Sequence, residues 1–448
     1  MMRADEGIAP LFPELPLAEP SPDAAAVRSA APRLRTAERR QVVWEPRALE
    51  ELLPAEHRAR VVWAFCERLD LRAFTAPSKA VEGHAGQPAI DPRLLLAVWL
   101  YATSEGVGAA RAVARRCESD LAYRWLLGGV TVNYHTLSDF RRRHEAALDQ
   151  VLTDSLAVLL SEGLLALERV AQDGLRVRAS AGAASFRREP TLREHLAVAE
   201  AEVQRLKQEL DSDERTPRQR KAQERAARER QERIERALAQ LPAVQAAKKN
   251  PEQREQARVS TTDAEARVMK MADGGYRPAY NAQFGTDTAS QFVVAVAVVT
   301  TGSDMAQLPA ALEQVARRCG RQPEAWLVDG GFTAVASIEQ AAARGVTVYG
   351  PVMQPRDPGR DPYQPRPGDS EAVAAWRVRM GTDAAKEVYK QRAATAECVN
   401  ALARLRGLGR FWVRGVQAVR CVAVLVALTH NLLRRDTLLQ ARAAAATG

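Results

Sequence analysis

Two short apolar segments of this chain each end in an aspartate followed by glycine, and this repeated pattern limits the possible folds more than any other feature. Segment 326–328 is followed by Asp329 and two glycines, and segment 169–172 is followed by Asp173 and one glycine. An apolar run closed by a polar residue and glycine is typical of a strand that ends at a turn. Neighbouring strands lie about 5 Å apart, so two such aspartates at equal heights would form a carboxylate pair.

The remaining pattern predicts the sheet to which these strands belong. Two further strands are predicted at 278–284 and 291–300, joined by a hairpin turn at 287–290. The second of these is apolar at almost every position, which predicts a central strand covered on both faces. The elements that follow are predicted at 304–319 (helix), 326–329 (strand), 333–344 (helix), 346–349 (strand), 389–404 (helix) and 416–433 (helix). The order β-β-β-α-β-α-β-α predicts an α/β domain of the RNase H-like type, in which the first and fourth strands are neighbours.

A third carboxylate, Glu397, lies in a basic helical stretch and would complete a trio with the two aspartates. Three oxygen ligands suit Mg²⁺ or Mn²⁺, and two such ions can support phosphodiester chemistry. Each residue also has a simpler interpretation, because an aspartate before glycine is commonly a turn residue and a helical glutamate is commonly solvated. Among the competing acids, we expect Asp287 to serve a hairpin turn and Asp304 to cap a helix.

The region before the sheet reads as helical from 47 to 165 and carries clustered arginines. Short helices, glycine turns and arginines on the last helix predict a helix-turn-helix-like DNA-binding domain. The alternative is a helical bundle with a solvated basic face. The candidate DNA-binding residues are Arg111, Arg115, Arg116, Arg141, Arg142 and Arg143.

Composition sets the partner class and the domain plan. The formal net charge is +9 and favours a polyanionic partner, while the scattered cysteines form no CxxC pair and indicate a reducing cytosol. The interrupted apolar runs predict no membrane span. We predict four segments: a disordered arm at 1–38, a helical DNA-binding domain at 39–165, a catalytic domain at 166–448, and a helical-hairpin insertion at 190–250 within it.

Several short motifs, in order, resemble those of bacterial insertion-sequence transposases of the DDE class, in the branch with an N-terminal helical DNA-binding domain. The resemblance covers roughly residues 45–435. The motifs that carry it are Asp91-Pro92-Arg93, segments 123–129 and 135–141, Asp173-Gly174, Tyr280-Asn281-Ala282-Gln283, Asp329-Gly330-Gly331-Phe332, segment 396–400 and segment 429–432.

The resemblance implies that Asp173, Asp329 and Glu397 are a catalytic triad that binds two Mg²⁺ or Mn²⁺ ions, with Tyr389, Arg392 and Arg404 in support. Relative to the family's commonest spacing, one extra residue separates Arg392 from Glu397, and Arg404 stands where lysine is usual.

The same resemblance implies double-stranded DNA as the substrate, both as terminal inverted repeats and as target. It also implies an active homodimer with no membrane association, in the bacterial cytoplasm at the nucleoid. Two alternatives remain at this point: a metal-dependent structure-specific nuclease, and a catalytically silent DNA-binding regulator.

Overall fold

Helices make up the first part of the chain. The computed structural model describes residues 46–75, 88–208, 216–355 and 359–447, so the predicted arm at 1–38 lies outside the described residues. Helix starts follow capping signals in the sequence, since Asp91 accepts from the Arg93 N–H at 2.8 Å and Asn133 from the Thr136 N–H at 2.9 Å. After a 3-10 turn at Leu49–Leu52, the helices are α1 (Arg58–Glu67), α2 (Arg72–Thr75), α3 (Pro92–Ser104), α4 (Ala110–Ser119), α5 (Leu121–Leu127), α6 (Tyr134–Arg143) and α7 (Glu145–Ser161).

A mixed sheet with helices follows, which makes the second part of the chain α/β. Its strands and those of a small accessory sheet are β1 (Arg169–Arg178), β2 (Phe186–Arg187), β3 (Val259–Ser260), β4 (Arg267–Lys270), β5 (Tyr276–Asp287), β6 (Val293–Val299), β7 (Ala325–Leu327) and β8 (Thr347–Tyr349). The helices of this part are α8 (Glu189–Gln208), α9 (Pro217–Ala246), α10 (Pro251–Glu255), α11 (Leu308–Cys319), α12 (Val335–Ala342), α13 (Glu371–Met380), α14 (Asp383–Arg392), α15 (Cys398–Leu405) and α16 (Val416–Thr447).

Strand β1 is the centre of the larger sheet. It pairs antiparallel with β5 on one side and parallel with β7 on the other, and β7 in turn pairs parallel with β8. Ala171 lies opposite Leu327 in the parallel pair, which confirms the predicted pairing of the strand before Asp173 with the strand before Asp329. The far edge of β5 is shared by β4 and β6, and the turn between β5 and β6 is the predicted hairpin, held by the Asp287 carboxylate and Ser290.

Strand β6 lies at an edge of the sheet, so the prediction of a central strand was wrong. Its apolar residues are buried because α11 and α16 pack against it. Side chains from these helices also pair its open backbone edge. Gln314 accepts from the Val296 N–H at 2.6 Å and donates to its carbonyl at 2.9 Å, and Asn431 does the same at Val293, with both distances 2.8 Å. Buried backbone groups are therefore satisfied without a neighbouring strand.

The predicted helical hairpin is present as α8 and α9, which pack along each other between β2 and β3. Apolar side chains including Leu192, Ile234 and Leu241 form its core, whereas Leu210 of the predicted insertion lies outside the described residues. Thr216 caps α9 through a reciprocal arrangement with Gln219, so the proline that follows begins a helix instead of interrupting one.

Helix α16 is the buried core element that connects the two parts. It packs against α3, α6 and α7 as well as β6, and residues Leu49–Gly448 form one compact unit. It is longer than the predicted apolar run: by length and composition, its segment Val416–Ala446 could cross a membrane, but 72% of the apolar window is buried inside the protein. Such burial is what a core helix requires.

One titratable side chain of α16, His430, is enclosed between the two parts. It is 3% exposed, with Nε2 2.8 Å from the Gln291 carbonyl oxygen and Nδ1 2.6 Å from Arg406 Nη1. Burial, assisted by the positive charge of Arg406, lowers the pKa of His430 from 6.5 to about 4. The folded protein therefore requires a neutral imidazole.

We predict that His430→Gln weakens the pH dependence of stability. Because the pKa of His430 is lower in the folded protein than in the unfolded chain, the neutral imidazole contributes to the free energy of unfolding above about pH 6.5. This contribution is lost as the pH falls towards 4. For this shift the contribution is about 3 kcal/mol. Urea unfolding at pH 7 and pH 4 should show a smaller difference for the variant than for wild type. The exposed His135→Gln is the matched control, and an unchanged pH dependence in His430→Gln would contradict the assignment.

Candidate active site

Asp173 and Asp329 lie at equivalent heights on neighbouring strands. Each follows by two residues the last registered pair of β1 and β7, which is Ala171 opposite Leu327. The glycines after them turn backbone N–H groups towards the carboxylates. The Gly174 N–H donates to Asp173 Oδ1 at 2.9 Å and the Gly331 N–H to Asp329 Oδ1 at 2.8 Å. The sheet therefore brings the two sequence-predicted aspartates to one place.

Arg392, at the end of α14, lies between the two aspartates. Its Nη2 atom is 3.3 Å from Asp173 Oδ1 and 3.6 Å from Asp329 Oδ2, and its side chain is only 12% exposed. Its Nε is buried and has no hydrogen-bond partner within the described ranges. Arg392 thus supplies the positive charge that keeps two adjacent carboxylates together.

Burial dominates the electrostatics of Asp173. Burial raises the pKa of Asp173, the charge of Arg392 and the Gly174 N–H oppose this, and the negative charges of Asp329 and Asp304 raise it further. Burial also raises the pKa of the Tyr389 hydroxyl, and there too the two aspartates act in the same direction against Arg392. Tyr389 therefore belongs to the same electrostatic environment as the two aspartates.

Glu397 is near this site along the helix but is exposed and is not bridged to the aspartates by Arg392. It ends a π-helical turn, Ala393–Glu397, that joins α14 to α15. Three residues later, Asn400 donates from Nδ2 to Asp173 Oδ2 at 2.9 Å. Since residues three apart share a helix face, Glu397 lies one turn from a residue that touches Asp173. Arg404 is exposed in the last turn of α15, two turns beyond Glu397.

The carboxylate oxygens of Asp173 and Asp329 are of the kind that Mg²⁺ and Mn²⁺ prefer. Among the described residues, no group of three or more His, Cys, Asp or Glu side chains is arranged to hold a metal ion. The structure therefore assembles two of the three predicted metal-binding residues, with Arg392 as their counter-charge. Buried Asn400 Oδ1, which has no hydrogen-bond partner within the described ranges, is a further oxygen beside Asp173.

Asp304 is a site residue that the sequence analysis missed. We predicted that it caps a helix, which is wrong because α11 begins only at Leu308, with Gln307 at its N-cap. Asp304 Oδ1 instead accepts from Asn281 Nδ2 at 2.7 Å and Gln283 Nε2 at 2.6 Å, both on β5 next to β1. The sequence signal was the alternation of Asn281 and Gln283 in an otherwise apolar strand, which indicates two polar side chains on one sheet face.

Arg141 is not available for DNA contact, which corrects its place among the predicted DNA-binding residues. It is 3% exposed, its guanidinium carbon lies 4.2 Å from the centre of the Trp99 ring, and Nη1 donates to the Gly108 carbonyl. Burial lowers the pKa of Arg141 to about 10. This arginine stabilises the packing of α6 against α3 and has no access to a phosphate.

The other predicted arginines differ in their exposure. Arg142 and Arg115 are exposed, and Arg111 is exposed with its guanidinium 4.9 Å from the Tyr134 ring centre. Arg143 is exposed but pairs with Asp139 at 3.1 Å, and Arg116 pairs with Glu105 at 2.6 Å. Helices α4 and α6 pack against each other, so the exposed members lie on one part of the molecule.

We predict opposite outcomes for two neighbouring arginines of α6. Arg141→Ala leaves a cavity beside Trp99 and a buried carbonyl without its donor, so it should lower the free energy of unfolding by about 2 to 4 kcal/mol. Arg142→Ala removes an exposed side chain and should change it by less than about 0.5 kcal/mol. Urea denaturation of both variants measures the difference. Equal stability of the two variants would show that Arg141 is not the buried anchor described here.

Comparison with known protein families gives two matches, in the order the motifs predict. Residues 47–143 match the family described as Transposase domain (DUF772), and residues 362–435 match the family described as Transposase DDE domain. No curated protein and no solved structure matches the chain. The first match covers α1 to α6, and the second includes Arg392, Glu397 and Asn400. Both families are transposase domains, and together they support an insertion-sequence DDE transposase.

Proposed function

We propose that this protein binds the terminal inverted repeats of a mobile element, cleaves DNA at the element ends and joins the freed 3′-hydroxyl to target DNA. The observation that carries the proposal is the pairing of Asp173 and Asp329 beside Arg392, in a chain with two transposase family matches. Because two ends must be joined in one event, the active form would be a homodimer on double-stranded DNA. Its location would be the bacterial cytoplasm, at the nucleoid.

The sheet topology supports an RNase H-like catalytic domain. Taken from edge to edge, β6, β5, β1, β7 and β8 correspond to the third, second, first, fourth and fifth strands of the predicted arrangement. Strand β5 runs antiparallel to both β6 and β1. Strands β7 and β8 run parallel to β1. In this interpretation β4 and the α8–α9 hairpin are additions to the basic fold.

Asp173, Asp329 and Glu397 would hold divalent ions, which when bound activate a water or a 3′-hydroxyl and stabilise the leaving oxygen of a phosphodiester. For Glu397 to take part, its side chain must turn inward from its exposed position at the π-helical turn. Arg392 would then be released from the aspartates and would bind an oxygen of the scissile phosphate. Tyr389 would orient the same phosphate, and exposed Arg404 would contact the DNA backbone further along.

In the cleavage step, a water oxygen forms a bond to phosphorus while the bond from phosphorus to the 3′ oxygen breaks and that oxygen gains a proton. In the joining step, the new 3′-hydroxyl loses its proton and its oxygen forms a bond to a phosphorus of the target strand. The broken target bond leaves a 5′ segment with a hydroxyl at its 3′ end. The cleavage step hydrolyses one phosphodiester bond, and the joining step exchanges one phosphodiester bond for another, so no nucleotide cofactor is required to drive either step.

We predict that Asp173→Asn, Asp329→Asn and Glu397→Gln each reduce end cleavage by at least about a hundredfold while inverted-repeat binding is retained, because groups that act as one unit lose activity together. A gel assay for cleavage and a mobility shift for binding measure the two effects. Glu387→Gln, on an exposed face of α14, is the matched control. Chelation should stop cleavage, and Mg²⁺ or Mn²⁺ should restore it.

Three outcomes would change the assignment. If Glu397→Gln kept more than about a tenth of wild-type cleavage, the activation barrier would have risen by less than about 1.4 kcal/mol. Glu397 would then not belong to the triad. Cleavage without joining of pre-cut ends to target DNA would favour the structure-specific nuclease. Absence of any metal-dependent nicking would favour the silent regulator.

End recognition is proposed to use a helix-turn-helix-like arrangement in which α6 presents exposed arginines to DNA. We predict that Arg111→Ala, Arg115→Ala and Arg142→Ala, combined in the full chain, flatten the salt dependence of inverted-repeat binding. The loss should be about 0.9 log-log units for each phosphate contact removed. Titrations at several salt concentrations measure the slope.

The matched control removes the same charge from the hairpin, with Arg225, Arg230 and Arg233 of α9 changed to alanine. These exposed arginines alternate with glutamates, so we expect the slope of this variant to equal that of wild type. A flatter slope for the hairpin variant together with an unchanged slope for the α4 and α6 variant would instead assign the phosphate contacts to the hairpin.

A further inference from the structure

Asp304 places a third negative charge beside the two paired aspartates. Its carboxylate packs against Gly174, the residue that follows Asp173, since a methyl group added to Gly174 would lie 2.4 Å from Asp304 Oδ1. It also reaches the loop after β7, because a methyl group on Gly331 would lie 3.0 Å from Asp329 Oδ1 and 3.9 Å from Asp304 Oδ2. Gly174 therefore leaves room for the Asp304 carboxylate, and Gly331 borders the same carboxylate.

Asp304 is held firmly in this position. The amides of Asn281 and Gln283 both donate to Oδ1, and the side chain is only 14% exposed. Gln283 in turn accepts from Gln172 at 3.3 Å, and Gln172 accepts from the Trp326 indole at 3.0 Å. A hydrogen-bond chain thus runs from Asp304 across β5 and β1 to β7, the strands that carry or border the site.

The positive charge near Asp304 does not balance the negative charge of the carboxylates around it. Arg176 Nη2 is 3.9 Å from Oδ2, beyond hydrogen-bond distance, and donates instead to the Gly302 carbonyl at 2.8 Å. Asn281 is fully buried and its Oδ1, 2.8 Å from the position of a methyl group on Gly174, has no hydrogen-bond partner among the described residues. An unsatisfied buried oxygen close to the Asp304 carboxylate and to Gly174 indicates a place that favours a cation.

The backbone that carries Asp304 is strained. Ala306, two residues later, has a φ of 67°, in the left-handed region that a residue with a Cβ rarely adopts. The strain delays the start of α11 until Leu308 and leaves Asp304 in a turn that faces the sheet. A conformation that costs energy and aims a carboxylate at a site indicates a functional constraint.

We propose that Asp304 is a positioning residue of the Asp173–Asp329 site whose negative charge strengthens the binding of a divalent cation to the two aspartates. It acts through its negative charge, and the two amides that donate to Oδ1 hold it in position. The inference rests on the proposed function, since it assumes that Asp173 and Asp329 bind the cation. It goes further by assigning a role to a fourth acidic residue outside the triad.

The test uses the full chain without DNA and Mn²⁺ as the probe, with free Mn²⁺ followed by electron paramagnetic resonance. Asp304→Asn removes the charge at nearly constant size and should weaken Mn²⁺ binding about tenfold, the lower end of the effect seen for outer-shell residues. Asp304→Glu keeps the charge and should restore most of the affinity. Asp154→Asn, on the exposed face of α7, controls for net charge.

Two further variants distinguish an effect of charge from a loss of folded structure. Circular dichroism shows whether Asp304→Asn folds, and these variants give a result even if it does not. Arg176→Gln removes the nearby positive charge and should tighten Mn²⁺ binding severalfold, a direction that simple loss of structure would not produce. Gln283→Met removes one hydrogen bond to Asp304 but keeps its charge, and should leave the affinity within about twofold of wild type.

The outcomes distinguish this inference from the proposed function. Weaker binding by Asp304→Asn together with tighter binding by Arg176→Gln supports it. Wild-type affinity in both variants, or an equal loss in Asp304→Asn and Gln283→Met, overturns it while the metal-dependent function stands. Failure of the wild-type chain to bind Mn²⁺ at all would overturn the metal-dependent function itself.

Discussion

The parallel pairing of β1 with β7 is the constraint on which the site depends. It joins segments that are more than 150 residues apart in the chain, so it forms only when the intervening strands and helices pack around it. Ala171 and Leu327 are both fully buried and, with Ala325, they pack against Ala396 of the π-helical turn. Small side chains at this contact let the helix that carries Glu397 approach the sheet closely.

The π-helical turn explains how an irregular spacing is accommodated. A π turn is an α-helix with one residue added, and such turns occur mostly at functional sites. The extra residue between Arg392 and Glu397 is absorbed in Ala393–Glu397, so α14 and α15 continue on either side without a break. Arg392 and Asn400, one before and one after this turn, both touch Asp173. Glu397, the last residue of this turn, is exposed between these two contacts.

The sequence predicted the local elements and the aspartate pair because their signals are local. Capping residues, the Asp-Gly turns and the hairpin at Asp287 are each recorded within a few positions. What it missed depends on partners far along the chain. The edge position of β6 requires Asn431 to pair its backbone, and the burial of Arg141 requires Trp99 and Gly108 to receive it. No periodicity in β6 or α6 carries that information.

Asp304 shows the same limit at the site. An aspartate ahead of an amphipathic helix is normally its cap, and only the left-handed backbone at Ala306 separates it from that role. Its partners lie on β5, where Asn281 and Gln283 interrupt an apolar strand. The sequence contains both partners of this contact. Because they are separated along the chain, it does not predict that they touch.

The charge balance at the site accounts for the position of Arg392. Three carboxylates converge near Gly174 and Gly331, while Arg392 carries a single positive charge and forms ion pairs with two of them through one nitrogen. In the proposed mechanism, a divalent cation would carry twice that charge and bind the oxygens directly, so it would compete well with the guanidinium. DNA would add phosphate oxygens to the same space. The released Arg392 would then have an anion to bind, which would couple the arrival of the cation to that of the substrate. The ion pair of Arg392 with the aspartates and the proposed cation-bound arrangement therefore both neutralise the same excess of negative charge.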